Sequence, residues 1–349
     1  MTGAEPRVRG AFRSQGISCA SLGSPFMGRL MPLVAERLTP DTAPGSRILA
    51  WEGDVGPAGQ SLPLRLAGAL HALVLDGADA PLAAAYPPNA VDDDTLWQAV
   101  HGALERHPER IMAWLDRAPQ TNEVRRSSIL LPAIWWLLSQ TGDRPVVLSE
   151  LGASAGLNLS LDRFALDLPE GTAGAAESPV HLRPEWRGAP PPAPLPLHVV
   201  ERAGVDMHPL DPGDPGDALR LLSFLWPDQP ERMALTRGAI TLASVRPDAG
   251  DAAPWLAARL GTLRPGRLHV VYTTVAWQYF PSETQNACTA ALEAAGARAG
   301  RDSPLAHLSF EADGQRDGGA VTVRLWPDSP ERKLLARADF HGRWVDWRG

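Results

Sequence analysis

Glu150, Gly152, Ser154 and Gly156 alternate along one stretch, Pro145 to Leu159, and their spacing suits two kinds of chemistry. Taken from Glu150, the pattern Glu-x-Gly-x-x-x-Gly sets a carboxylate beside a turn of small residues whose backbone N–H groups can lie close to a ligand. Taken from Ser154, the pattern Gly152-x-Ser154-x-Gly156 is a sharp strand-to-helix turn that presents a serine nucleophile. A tight turn holding no ligand is the third reading. The elements that would position these groups flank them. Val146 to Leu151 is a short apolar run suited to a strand buried on both faces, and Leu157 to Phe164 has helix-compatible apolar spacing.

A second group of polar side chains lies at Pro119-Gln-Thr-Asn-Glu-Val-Arg-Arg126, just before an apolar helix ending near Thr141-Gly142. One reading makes Thr121 or Asn122 the N-cap of that helix, with Glu123 favoured by the helix dipole. The other gathers Gln120, Asn122 and Arg126 as hydrogen-bonding groups beside a pocket. His341, in Asp339-Phe-His-Gly-Arg343, is the best-looking general base. The alternative for it is a histidine bonded within a strand pair.

Composition excludes several classes. The 349 residues carry a net charge of −7, and Lys333 is the only lysine, so a broad basic face for nucleic acid is not expected. Cys19 and Cys288 are far apart and have no metal-ligand spacing, which argues against a disulfide framework or a metal site. The N-terminus lacks the apolar run of a signal peptide, and no segment reaches the roughly 18 apolar residues of a membrane span. A cytoplasmic protein is the expectation.

Residues 1–142 read as a mainly helical N-terminal domain and 143–349 as an α/β domain. Helices are expected at Val8–Ala20, Pro25–Leu38, Leu62–Leu75, from an Asp92–Asp94 cap to Leu104, and at Ile111–Leu115, with one short strand at Ile48–Trp51. After the central motif, 169–197 is rich in proline, glycine and alanine and reads as a surface excursion. Helices follow at Asp217–Leu225 and Gln229–Val245, Asp228 and Glu231 being spaced as a capping box before the second. The octet Leu225–Arg232 nearly recurs at Leu325–Arg332 in different surroundings, which points to chance rather than a repeat. Arg267–Val275 is a buried strand, Ser282–Gly296 an alanine-rich helix with a serine cap, and Leu305–Glu311, Ala320–Leu325 and Leu334–Trp347 closing strands.

The second half resembles Rossmann-like S-adenosylmethionine (SAM) methyltransferases. The resemblance rests on Glu150-x-Gly152, Gly204-Val-Asp206-Met-His-Pro209 and Gly250-Asp251-Ala252 in that order. It implies a mostly parallel sheet with helices on both faces. Glu150 would then face the amino-acid end of the cofactor, Asp206 the ribose and Asp251 the adenine. Gly152, Ser154 and Gly156 would pass close to the cofactor, with Thr273, Thr274 and Trp277 near the methyl group. Ser154 stands where the family has its middle glycine. Because Glu150 and Asp206 are widely separated, Asp162 is an alternative second-strand acid. Nearly the whole chain also resembles a bacterial family catalogued as domain of unknown function 2332. That likeness is carried by Pro119–Val124, Leu148–Leu159, Trp226-Pro-Asp228, Trp277-Gln-Tyr279 and His341-Gly342.

In the hydrolase reading Ser154 is the nucleophile and His341 the base, oriented by Asp251, Asp313 or Asp339. That fold needs several strands before the elbow, where this chain is mostly helical. A non-catalytic Rossmann-like ligand-binding protein is the remaining class. The preferred expectation is a SAM-dependent methyltransferase acting on a small molecule, with Gln120, Asn122, Arg126, Trp277, Tyr279 and His341 around the acceptor.

Overall fold

The computed structural model describes residues 3–57 and 59–349. The chain forms two compact units, a helical one from Met1–Thr121 with Pro215–Met233, and a sheet unit from Asn122–Asp214 with Ala234–Gly349.

In the helical unit most helices begin where a polar side chain accepts from an unpaired N–H of the first turn, or where a proline, having no N–H, removes one. After α1 (Ala4–Ser21), Ser24 accepts from Met27 N to cap α2 (Pro25–Arg37), and Thr42 accepts from Gly45 N to cap α3 (Ala43–Leu49). The strand expected at Ile48–Trp51 is therefore absent. Thr42 and Pro44 start a helix there, and Ile48 and Leu49 are buried in its last turn. Then come α4 (Leu62–Leu75), α5 (Ala80–Ala85) capped by Asp79, α6 (Asp93–Arg106) capped by Asp92, and α7 (Pro108–Leu115) with its proline in the first turn. Phe12, Leu30, Ile48, Leu66, Tyr86 and Trp226 share one apolar core. Asp228 does not serve the helix that follows it in sequence. Its carboxylate accepts from Ser24 Oγ at 2.5 Å and Phe26 N at 2.8 Å, at the start of α2.

The sheet unit opens with α8 (Ser127–Thr141), which ends at Gly142 (φ 83°). Next is β1 (Val146–Leu151), and then a 3-10 turn over Leu157–Arg163 where an α-helix was expected. After β2 (Ala165–Leu168), the supposed surface excursion 169–197 contains three strands: β3 (Gly171–Gly174), β4 (His181–Leu182) and β5 (Glu185–Gly188). The first three make a small sheet in the order β3-β2-β4. β6 (Val199–Asp206) returns to the main sheet. α9 (Pro215–Ser223) and the first turn of α10 (Pro230–Leu242) belong to the helical unit. The chain continues as β7 (Asp248–Ala249), α11 (Ala252–Leu260), β8 (Leu268–Thr274), α12 (Ser282–Gly296) and β9 (Leu305–Glu311). It closes with β10 (Gly319–Trp326), β11 (Ser329–Ala338) and β12 (Trp344–Trp347). The two similar octets lie before and within α10 and at the β10–β11 turn, so no repeat is built from them.

The main sheet runs β5-β12-β11-β10-β9-β8-β1-β6-β7. Neighbours from β7 through β9 are all parallel, as are β12 and β5, while β9, β10, β11 and β12 pair antiparallel. Numbered along the chain, the parallel block β7-β6-β1-β8-β9 is the 3-2-1-4-5 order of Rossmann-like sheets. The fold is α/β with a large, mostly parallel sheet. Leu151, Val205, Val271 and Leu305 on one face pack with Leu256 of α11 and Cys288 and Leu292 of α12. No helix among the described residues is long and apolar enough to cross a membrane.

Candidate functional site

After β1 the chain goes to β6 on one side, and later to β8 on the other. In open α/β sheets, the crevice at the carboxyl ends of the strands around such a reversal is where ligands bind. Two residues there have left-handed backbones although neither is glycine: Ser154 (φ 54°) after β1 and Val275 (φ 52°) after β8. For a β-branched valine that conformation is strained, and strain of this kind collects at functional sites.

Glu150 stands in register with Gly204 of β6 and Tyr272 of β8. It is 1% exposed, and its carboxylate accepts at Oε2 from Tyr272 Oη at 3.2 Å. Burial raises its pKa to about 8. The Tyr272 hydroxyl and the Arg126 charge pull the other way, and Asp206 adds to the rise. Arg126 is held across the strand ends, donating from Nη1 to Thr274 O at 2.7 Å and from Nε to Phe340 O at 3.0 Å. A Cβ on Gly342 would come within 2.4 Å of Arg125 O, so the turn carrying His341 lies directly against this segment. His341 N donates to Asp339 Oδ1.

The loop after β1 is fixed by its neighbours. Asp206, at the end of β6, accepts from Ser154 N at 2.8 Å and from His208 N at 2.9 Å. Asn122 Oδ1 accepts from Leu157 N at 2.8 Å, and Asn158 donates to Glu123 O while accepting from Ser127 Oγ. Ser154 Oγ is buried without a hydrogen-bond partner. Gly152 (φ 71°) is needed for backbone geometry and for space, since a Cβ there would lie 2.5 Å from Ala276 Cβ. Asp162 forms a two-pronged ion pair with Arg202, at 2.7 and 3.0 Å, on the turn after β1. Asp206 is thus the acid that ends β6, the second strand in chain order of the parallel block.

The remaining expected residues are dispersed along the same edge. Asp251 follows β7 and caps α11, accepting from Ala253 N at 2.7 Å and Thr284 Oγ1 at 3.0 Å. Thr273, on β8, is fully buried and its hydroxyl has no hydrogen-bond partner. Trp277 and Tyr279 lie on the short 3-10 turn after β8, the tyrosine 67% exposed. Gln120 belongs to the helical unit.

Sequence reasoning missed Glu311, the last residue of β9. Its Oε1 accepts from Ala276 N at 3.0 Å and Trp277 N at 3.1 Å, and thereby ties down the loop after the strained Val275. Burial raises its pKa, opposed by those two amides, by Thr273 and by Arg126. No motif marks it. An acid ending a strand next to the motif strands was the available signal.

Residues 9–347 match one family, and that span takes in the 119–124, 148–159, 226–228, 277–279 and 341–342 segments. The chain belongs to the DUF2332 family. Its members are described as "Uncharacterized protein conserved in bacteria". Among curated proteins none matches the chain. In this DUF2332 protein two of the three acids proposed to orient His341 in a hydrolase are engaged elsewhere: Asp251 caps α11, and Asp313 pairs with Arg337 at 2.6 Å. Asp339 pairs with Arg343 at 2.7 Å and also lies close enough to His341 for its charge to lower the Asp339 pKa. Ser154 Oγ itself has no hydrogen-bond partner, so no nucleophile–base pair is made at the serine. Among the described residues no group of three or more His, Cys, Asp or Glu is placed to hold a metal ion.

Proposed function

We propose that this DUF2332 protein is a SAM-dependent methyltransferase acting on a small-molecule acceptor. The observation that carries the reading is the placement of acids on the parallel block: Glu150 near the end of β1, Asp206 at the end of β6 and Asp251 just after β7, all beside the chain reversal. The unpartnered Ser154 Oγ at that edge fits a ligand rich in hydrogen-bonding groups. When bound, SAM supplies a methyl group activated by its sulfonium, so that positioning carries much of the barrier reduction.

In this reading Glu150 accepts from the amino-acid end of the cofactor, and Gly152, Ser154 and Gly156 form the turn it lies against. Asp206 takes the ribose and Asp251 the adenine amine. Asn122 holds the turn through Leu157 N, while Arg126, Thr273, Trp277, Tyr279 and His341 belong to the acceptor side. Two observations favour the second reading, a ligand-binding protein without turnover. Ala276 fills the space in front of Gly152, and both Asp206 oxygens already accept from backbone amides.

Calorimetry of SAM and S-adenosylhomocysteine with the full-length protein tests the proposal. Micromolar binding that is lost in Asp206→Ala and kept in Ser154→Ala is the expected result. Absence of binding to wild type overturns it and leaves the second reading.

A further inference from the structure

Glu311 uses one carboxylate oxygen and leaves the other unused. Oε1 takes two successive amides, Ala276 N and Trp277 N, whereas Oε2 is buried with no hydrogen-bond partner. Thr273 is in register with Ser309, and Glu311 follows two residues later on the same strand, so Thr273 and Glu311 share one face of the sheet at adjacent strand ends. Thr273 is fully buried and its hydroxyl faces the Glu311 carboxylate as a hydrogen-bonding neighbour that lowers its pKa, yet the contact falls short of full hydrogen-bonding geometry. Two buried oxygens so imperfectly paired are an expensive arrangement, since each forfeits its bond to water. A third such atom, His307 Nε2, lies further down the same face, its ring 6.0 Å from that of Trp277.

The chemistry of these three buried atoms is that of an acceptor. Glu311 Oε2 accepts, Thr273 Oγ1 can accept, and burial keeps His307 neutral, its pKa lowered to about 3, so that it too offers a lone pair. A carboxylate or phosphate would face the Glu311 oxygen and be repelled. An ammonium group brings N–H donors and a compensating charge. Two of the nearby arginines are already paired. Arg126 donates to two carbonyls, and Arg324 pairs with Glu293 at 2.6 Å. The segment against them is the short turn with Trp277 and the exposed Tyr279, whose Ala276 and Trp277 amides donate to Glu311 Oε1.

We propose that Glu311 Oε2 and Thr273 Oγ1 form a subsite for a primary amine, beneath the Ala276–Tyr279 turn. Its assignment to the acceptor nitrogen rests on the methyltransferase reading, but the binding itself does not. In a parallel block of order 3-2-1-4-5, the subsite lies at the ends of the fourth and fifth strands. That is the side of the reversal away from Asp206 and Asp251.

The test is a chemical-shift titration of the 15N-labelled full-length protein with propylammonium chloride, with sodium propionate and propanol as controls. Propylammonium should shift the Ala276 and Trp277 amides saturably, and the controls should not. Affinity should fall at least about tenfold in Glu311→Gln, the loss expected for a hydrogen bond to a charged group. Thr273→Val should weaken it by a smaller factor. Glutamine keeps an oxygen for the two amides, and valine matches threonine in shape. Equal response to propanol, no response to propylammonium, or unchanged affinity in both variants overturns the subsite and leaves an internal water or a Thr273–Glu311 contact in its place. S-adenosylhomocysteine binding is measured on the same samples. Binding of that cofactor without propylammonium sinks the subsite alone, and propylammonium binding without the cofactor sinks the methyltransferase reading alone.

Discussion

Two buried carboxylates, Asp79 in the helical unit and Glu150 in the sheet unit, have opposite surroundings. The Asp79 side chain accepts from Leu82 N, receives three contacts from Arg106 at 2.7 to 3.1 Å, and has His107 Nε2 at 3.1 Å. Every lone pair has an occupant, as expected for an acid whose task is to fix a helix start and tie two helices together. Glu150 has the Tyr272 hydroxyl, and its pKa sits near 8 because little else compensates its burial. A group held at that expense of stability marks a place shaped for something other than folding.

The sharpest way to break this contrast is through pH. The unfolded chain releases the Glu150 proton near the ordinary glutamate value of 4.5, whereas the folded protein keeps it to about 8. Stability should be full below pH 4.5 on this account and fall as pH rises toward 8, by on the order of a few kcal/mol. Glu311, also raised, adds in the same direction. Glu150→Gln should flatten most of this slope in urea melts between pH 5 and 8. An unchanged slope would mean that Glu150 is ionised and compensated like Asp79.

Asp79→Ala comes next. It removes a cap and leaves Arg106 without its partner, and since that arginine is 45% exposed the loss in urea melts should be about 2–3 kcal/mol. A loss below 0.5 kcal/mol would show that the contacts of Asp79 do not hold the helices. The smallest effect expected is at Val275. Replacing this left-handed valine with glycine should stabilise the protein by about 1 kcal/mol while weakening ligand binding at the β8 edge. Destabilisation by Val275→Gly would mean that its side-chain packing outweighs the backbone strain.

Legibility in the sequence followed the range of the interactions. Leu62–Leu75 and Ser282–Gly296 were readable to the residue because spacing and boundary residues act locally, though α12 has no serine cap: Pro281 precedes Ser282 in its first turn. Ile48–Trp51 was misread because a short apolar run is ambiguous once the Thr42 cap and Pro44 are overlooked. Asp228 was assigned to the nearer helix, whereas the start of α2 claims it across more than two hundred residues. At the site, the stretch around Glu150 announced itself through small residues. Glu311 did not, because its role comes from β9 lying beside β8, a pairing no local pattern encodes. The strands β2 to β5 were hidden for a similar reason. β5 finds its partner in β12, almost at the end of the chain.

The same long reach governs how the protein can be made. The core of the helical unit contains Trp226, and Asp228 holds Ser24, the cap of α2; both are supplied by the returning segment Pro215–Met233. Met1–Thr121 therefore leaves the ribosome without its last core residue, and synthesis of Asn122–Asp214 takes roughly 5–20 s. During that interval Leu66 and its apolar neighbours lack a finished surface to pack on. Nascent chains arrested before Pro215 should be cut readily by protease within α2, and chains arrested beyond Trp326 should resist. A chaperone that holds helical chains open has its longest opportunity in that window.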